Sequence, residues 1–169
     1  MNPTPHIVSP VADFPSLKQI LIPENLDEYR KAVDGMNKVY DLRNDATAPN
    51  MFENLNESLR QKPIPEFLNN VGFFGSSKWW LAIENGTLPT TMLAGKIAFV
   101  GIRLDEFQEE YEALEIAVGG QLIDVGPWGG LEVYADASNV ILQSLQVDFP
   151  ETHILLPSIW HAWLEIWVS

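Results

Sequence analysis

Leu104-Asp105-Glu106-Phe107-Gln108-Glu109-Glu110-Tyr111-Glu112-Ala113-Leu114-Glu115-Ile116-Ala117-Val118-Gly119-Gly120 is the stretch on which the architecture turns. With a period of 3.6, Phe107, Tyr111, Leu114 and Val118 fall at spacings of four, three and four and form one helical stripe. Asp105 then stands as the N-cap and Gly119-Gly120 as the C-terminal stop. A competing reading makes residues 114–118 one arm of a hairpin that turns at the glycine pair. Residues 106–115 are rich in helix formers, which favours the helix.

That helix carries Asp105, Glu106, Glu109, Glu110, Glu112 and Glu115 with no intervening Lys or Arg. Like charges three and four apart on a helix repel by roughly 0.2–0.5 kcal/mol per pair. A cationic partner relieves that repulsion and is steered to the site at long range. The plainer alternative is a solvated face that keeps the protein soluble.

The asymmetry extends beyond this segment. From Leu104 to Ser169 there are twelve acidic residues and no Lys or Arg, whereas residues 1–103 hold all ten basic residues against eleven acids. Most acidic surfaces intersperse both signs, so the division points to a basic partner. It argues against direct nucleic-acid binding, which needs clustered Lys and Arg, and against anionic lipid.

Six Trp, eight Phe and four Tyr in 169 residues give ample material for a core. Trp128 stands apart, because Gly126-Pro127-Trp128-Gly129-Gly130 is a loop in which a large ring is rarely placed for packing alone. An aromatic beside carboxylates is the composition of a protein-binding hot spot. Asp105, Glu106, Glu109, Glu110, Glu112, Glu115 and Trp128 therefore form the expected partner-binding set.

Around this segment the chain reads as α+β, with N-terminal helices packed on a largely antiparallel sheet from the C-terminal two-thirds. Prolines at 3, 5, 10, 15 and 23 make residues 1–23 an extended arm packed on the body, and residues 24–169 form one α+β domain. A helix follows Pro23, with Leu26, Tyr29, Val33, Met36 and Tyr40 in one stripe and Gly35 at a close packing contact. A second helix spans residues 51–61 with Phe52, Leu55 and Leu59 inward, then a short turn takes in Phe67, Leu68 and Val71. Residues 79–84 read as a strand closed by the Asn85-Gly86 turn, and residues 96–103 as a strand buried on both faces. Pro89 argues against a central strand just after it. Strands are expected at 121–125, 131–135, 153–156 and 159–168, with Ala162, Leu164, Ile166 and Val168 on one face. Residues 136–139 offer caps for a short helix from Val140, with a strand as the alternative.

No motif identifies a chemistry. With no Cys, disulfides, thiolate catalysis and Cys-ligated zinc are excluded. His161 and Glu165 would share a face only if residues 159–168 were helical, and no H-E-x-x-H spacing supports a metal. Gly126 to Gly130 lacks the Lys-Ser/Thr of a phosphate loop. No catalytic residue, metal site or cofactor is therefore assigned. Without a basic n-region or an apolar run of about 18 residues, the expectation is a cytoplasmic protein. Asn56-Glu57-Ser58 and Asn85-Gly86-Thr87 then read as chance glycosylation matches.

The leading expectation is a non-enzymatic binding protein that occludes a basic partner, such as an immunity protein or antitoxin against a toxin or effector. A DNA-mimicking phage inhibitor of a nuclease is the second. An enzyme using His153, His161 or nearby carboxylates is the third, and a structural subunit the fourth.

Overall fold

The computed structural model describes residues 18–61, 63–149 and 159–169. Among these residues, seven antiparallel strands and four helices give a mixed α+β fold. The helices are α1 (Leu26–Ala32), α2 (Ala48–Leu59), α3 (Leu68–Val71) and α4 (Ser77–Glu84). The strands are β1 (Lys18–Leu21), β2 (Asn37–Asp41), β3 (Thr90–Leu104), β4 (Glu110–Val118), β5 (Gln121–Asp124), β6 (Asn139–Asp148) and β7 (Ile159–Val168). The bulk of the sheet is C-terminal as expected, but β1 and β2 interleave with the helices. Of the expected arm, only Lys18–Leu21 and the residues just after it are described, and Lys18–Leu21 forms β1 on the edge of β3. The expected strand at 153–156 lies outside the described residues.

Strand order is β2-β7-β6-β3-β4-β5, with β1 also on β3. The 15-residue β3 organises the sheet. One of its edges pairs with β6 over Thr91–Lys96; the other pairs first with β1 and then, from Lys96 to Leu104, with β4. Pro89 does not prevent this, because it precedes the ladder, where its missing N–H is not required. Nor is β3 buried on both faces: Lys96, Ala98, Ile102 and Arg103 are exposed.

The acidic stretch is a strand and not a helix. β4 runs antiparallel to β3 and turns at Gly119-Gly120 into β5, as in the competing reading. The reason is a period of two. Leu114, Ile116 and Val118 are buried together against Leu93, Val140, Leu142 and Ile166. A helix that buried Leu114 and Val118 would turn Ile116 to solvent, forfeiting about 1.5–3 kcal/mol. Helix propensities differ by only about 0–0.7 kcal/mol per residue, so burial prevails.

Other elements depart from the sequence expectation for similar local reasons. α1 stops at Ala32, and Gly35 takes φ +77° with open space around it, serving the turn into β2 rather than a packing contact. Residues 79–84 belong to helix α4, because the Ser76 hydroxyl accepts the Trp79 N–H as an N-cap and Trp79, Ala82 and Ile83 share the buried side. Asn85-Gly86 ends that helix. Leu131–Tyr134 is a 3-10 turn and not a returning strand, and Val140 lies in β6 and not in a helix.

β7 is the expected strand, but its pairing with β6 slips between Gln143 and Ser144. One extra β7 residue breaks the alternation. Ala162 and Leu164 therefore join the cluster under the helices, whereas Ile166 and Val168 join the cluster that contains β4.

The aromatic residues explain much of the helical layer. Phe52, Phe74, Trp79, Trp80 and Trp160 form a connected set with ring centroids 4.6–6.4 Å apart. Asn56 sits in the same layer, its amide N–H donating to the Phe74 carbonyl and its oxygen accepting the Phe74 N–H, both at 2.9 Å. As a buried, doubly bonded residue, it is not an accessible sugar acceptor in the fold.

Candidate functional site: an acidic ribbon at the end of β3 and β4

β6 leaves β3 at Lys96, and the last contact on that side is the Ile97 N–H donating to the Ser138 carbonyl. β5 leaves β4 at Glu115, followed by one bond from the Val125 N–H to the Leu114 carbonyl. Beyond these points, residues 99–104 and 110–113 pair only with each other among the described residues. They form a two-stranded ribbon that projects from the sheet.

Its tip is closed by Asp105. The carboxylate accepts the N–H groups of Phe107 (2.8 Å) and Glu109 (2.9 Å), and its own N–H donates to the Glu109 carbonyl (2.9 Å). Gln108 takes φ +66°, a value uncommon outside glycine. Asp105 is thus committed to the turn.

Cross-strand register and the placement of Leu114 in the core define one ribbon face. Ile102 opposes Glu112 and Leu104 opposes Glu110, on the same side as Val100 and Leu114. An apolar row and an acidic row therefore lie side by side, extending a core-facing surface into solvent. Ile102 and Leu104 are more than half exposed, and Phe107 at the tip is 76% exposed. Glu110 and Glu112 are two residues apart on one strand, roughly 7 Å along it.

The opposite face carries Phe99, Arg103, Tyr111 and Glu115. The Arg103 guanidinium donates Nε to Glu115 Oε1 (3.1 Å) and an Nη2 hydrogen to Oε2 (2.9 Å), and lies 3.7 Å from the centre of the Phe99 ring. Glu115 is neutralised within the chain. Among the described residues, Glu106, Glu109, Glu110 and Glu112 have no hydrogen-bond or ion-pair partner for their carboxylates, so these four carry the ribbon's uncompensated charge.

The structure therefore divides the expected set. Asp105, Glu106, Glu109, Glu110, Glu112 and Glu115 gather on one ribbon, with the first and last engaged internally. The helical like-charge pairs dissolve with the helix. Trp128 lies elsewhere: its indole N–H donates to the Val125 carbonyl (3.0 Å) and its ring packs on Tyr40 at 5.4 Å. It joins the loop after β5 to β2, the opposite end of the strand order. Phe107 is the aromatic beside the carboxylates, overlooked because the helical stripe counted it as buried.

Elsewhere several charges are paired within the chain. Arg30 pairs with Asp27, Arg43 with Glu84 and Arg60 with Glu53. In a cleft of about 540 Å³ between α1, β2, α4 and β7, Glu165 accepts from Tyr29 Oη (2.8 Å), Lys38 Nζ (2.8 Å) and Trp167 Nε1 (3.1 Å). Burial, then the Glu165 charge and the hydrogen bond to it, holds the Tyr29 hydroxyl protonated far above its ordinary range. Burial works against the Lys38 charge, yet Glu165 and Asp41 outweigh it and raise its pKa. This cleft was not anticipated, since its groups come from four separated segments.

His161 and Glu165, to which the sequence assigns no metal, would come together on one face in a helix, but residues 159–168 are a strand. The two sit on opposite faces of β7: His161 meets Trp163 edge-on at 4.8 Å on the side of the β4 cluster, whereas Glu165 reaches α1. No group of three or more His, Asp or Glu is placed to hold a metal among the described residues, and no described helix is long and apolar enough to cross a membrane. His6 and His153 lie outside the described residues. No protein-family model and no curated protein sequence matches the chain.

Proposed function

We propose that the protein binds and neutralises a basic partner by occlusion, in the manner of an immunity protein or antitoxin, and that the β3–β4 ribbon is the element inserted into the partner. The observation that carries this reading is the juxtaposition on one projecting ribbon of unpaired Glu106, Glu109, Glu110 and Glu112 with exposed Ile102, Leu104 and Phe107. The carboxylates steer and select a cationic groove. The apolar row supplies area that is desolvated on contact, and Phe107 is suited to act as the anchor.

A duplex-mimicking inhibitor is the second reading. It calls for a long row of carboxylates, whereas here the acidic row is short and an apolar row runs beside it, which favours a protein groove.

The test is co-expression with the product of the adjacent reading frame. The expected result is suppression of that product's toxicity by the wild-type chain, and loss of suppression when Phe107→Ser is combined with Glu110→Lys and Glu112→Lys. Full protection by the triple variant would overturn the assignment of the ribbon.

A further inference from the structure

The ribbon has a backbone feature as well as its side chains. The Leu114 carbonyl faces outward, where it accepts from Val125, and the Glu109 carbonyl faces β3, where it accepts from Asp105. Antiparallel alternation then directs the N–H and C=O groups of Glu110 and Glu112 away from β3. β5 lies end-on to this position, and no described residue pairs with residues 110–113 on that edge. An open edge of this kind is a template for another strand.

We infer that the basic partner engages this edge by strand addition, presenting a segment in which Lys or Arg alternates with aliphatic residues. The inference rests on the ribbon being the binding element. Its side chains name the occupant. An added strand places its neighbouring side chains beside Glu110 and Glu112, where opposite charges stabilise and like charges destabilise the pairing. A second copy of this chain would bring glutamates against glutamates, so the edge rejects itself and accepts a cationic strand.

The probe is a capped Lys-Val-Lys-Val-Lys-Val peptide, titrated into the full chain at low salt and followed by NMR amide exchange. Exchange at Glu110 and Glu112 is expected to slow about tenfold, the scale of one added hydrogen bond, while Tyr111 and Ala113, already turned toward β3, change little. The same peptide N-methylated at every residue keeps its charge but loses its donors, and is expected to bind at least about tenfold more weakly. Equal binding of the two peptides would overturn strand addition while leaving cationic docking intact. Binding of neither would overturn both. Slowed exchange at Glu110 and Glu112 on concentrating the protein alone would identify a second copy as the occupant and also overturn the inference.

Discussion

Arg103 and Glu115 meet diagonally across β3 and β4, four residues out of direct register and over the Gly101–Ala113 pair, joined by two parallel hydrogen bonds, with the guanidinium stacked on Phe99. This clamp runs from near the tip of the ribbon back to its root, along a ribbon with little else to hold it, since an isolated two-stranded hairpin is marginal in water. It also neutralises one carboxylate and the only cation of residues 99–115.

Arg103→Met is therefore expected to loosen the ribbon without unfolding the sheet. Amide exchange across residues 101–112 should accelerate, while the midpoint of chemical denaturation stays near wild type. Arg103→Lys should restore little, because an ammonium cannot reproduce the bidentate, stacked geometry. A large drop in the denaturation midpoint would show that the clamp supports the whole fold.

Asn56 satisfies both backbone groups of Phe74 inside the aromatic cluster. Asn56→Leu fits the apolar surroundings but leaves a buried N–H and a buried C=O unpaired. Each costs about 1–3 kcal/mol, so urea denaturation should show a loss of about 2–6 kcal/mol. A loss below about 1 kcal/mol would mean that Phe74 finds other partners.

At Gly129 an added Cβ would stand 2.6 Å from the Val39 carbonyl oxygen, and φ is +92°. Gly129→Ala strains the backbone and pushes the Trp128 loop off β2. A destabilisation of about 1–3 kcal/mol or more is expected, with a change in tryptophan fluorescence as Trp128 leaves Tyr40. An unaffected variant would contradict the contact between the two ends of the sheet.

Tyr29, Tyr40 and Tyr134 all have hydroxyls whose pKa is raised, chiefly by burial. Each group's folded value lies above its unfolded value near 10, so its contribution to stability is complete below about pH 10 and declines as pH rises toward the folded value. Lys38, also raised, acts in the same direction. The protein should lose stability above about pH 10, and phenolate absorbance from these three tyrosines should appear together with unfolding. Independent titration of all three near pH 10 in the folded protein would contradict their burial.

The parts of the fold legible in sequence were those where one local period had no rival. Phe52, Leu55 and Leu59 mark α2, and the prolines after it mark its end. The acidic segment had two periods at once: Phe107, Tyr111, Leu114 and Val118 suit a helix, while Leu114, Ile116 and Val118 suit a strand. Only the partner strand decides between them. Trp79 to Glu84 was misread because its apolar run hid the capping hydroxyl of Ser76. The β7 bulge, which separates His161 from Glu165, has no sequence mark. The charge division was legible because composition survives an error in secondary structure: six acids lie on one ribbon whether it is helical or extended.

Local action of these carboxylates is tested most directly by affinity for the proposed basic partner, sought first as the product of an adjacent reading frame. Wild type is to be compared with two variants of equal net charge: Glu109→Lys, Glu110→Lys, Glu112→Lys on the ribbon, and Glu24→Lys, Glu57→Lys, Glu66→Lys on exposed positions of the helical half. Salt-sensitive binding is expected for wild type, with a loss of at least about a hundredfold for the ribbon variant and less than about tenfold for the control. Equal losses in the two variants, or none in either, would contradict the account.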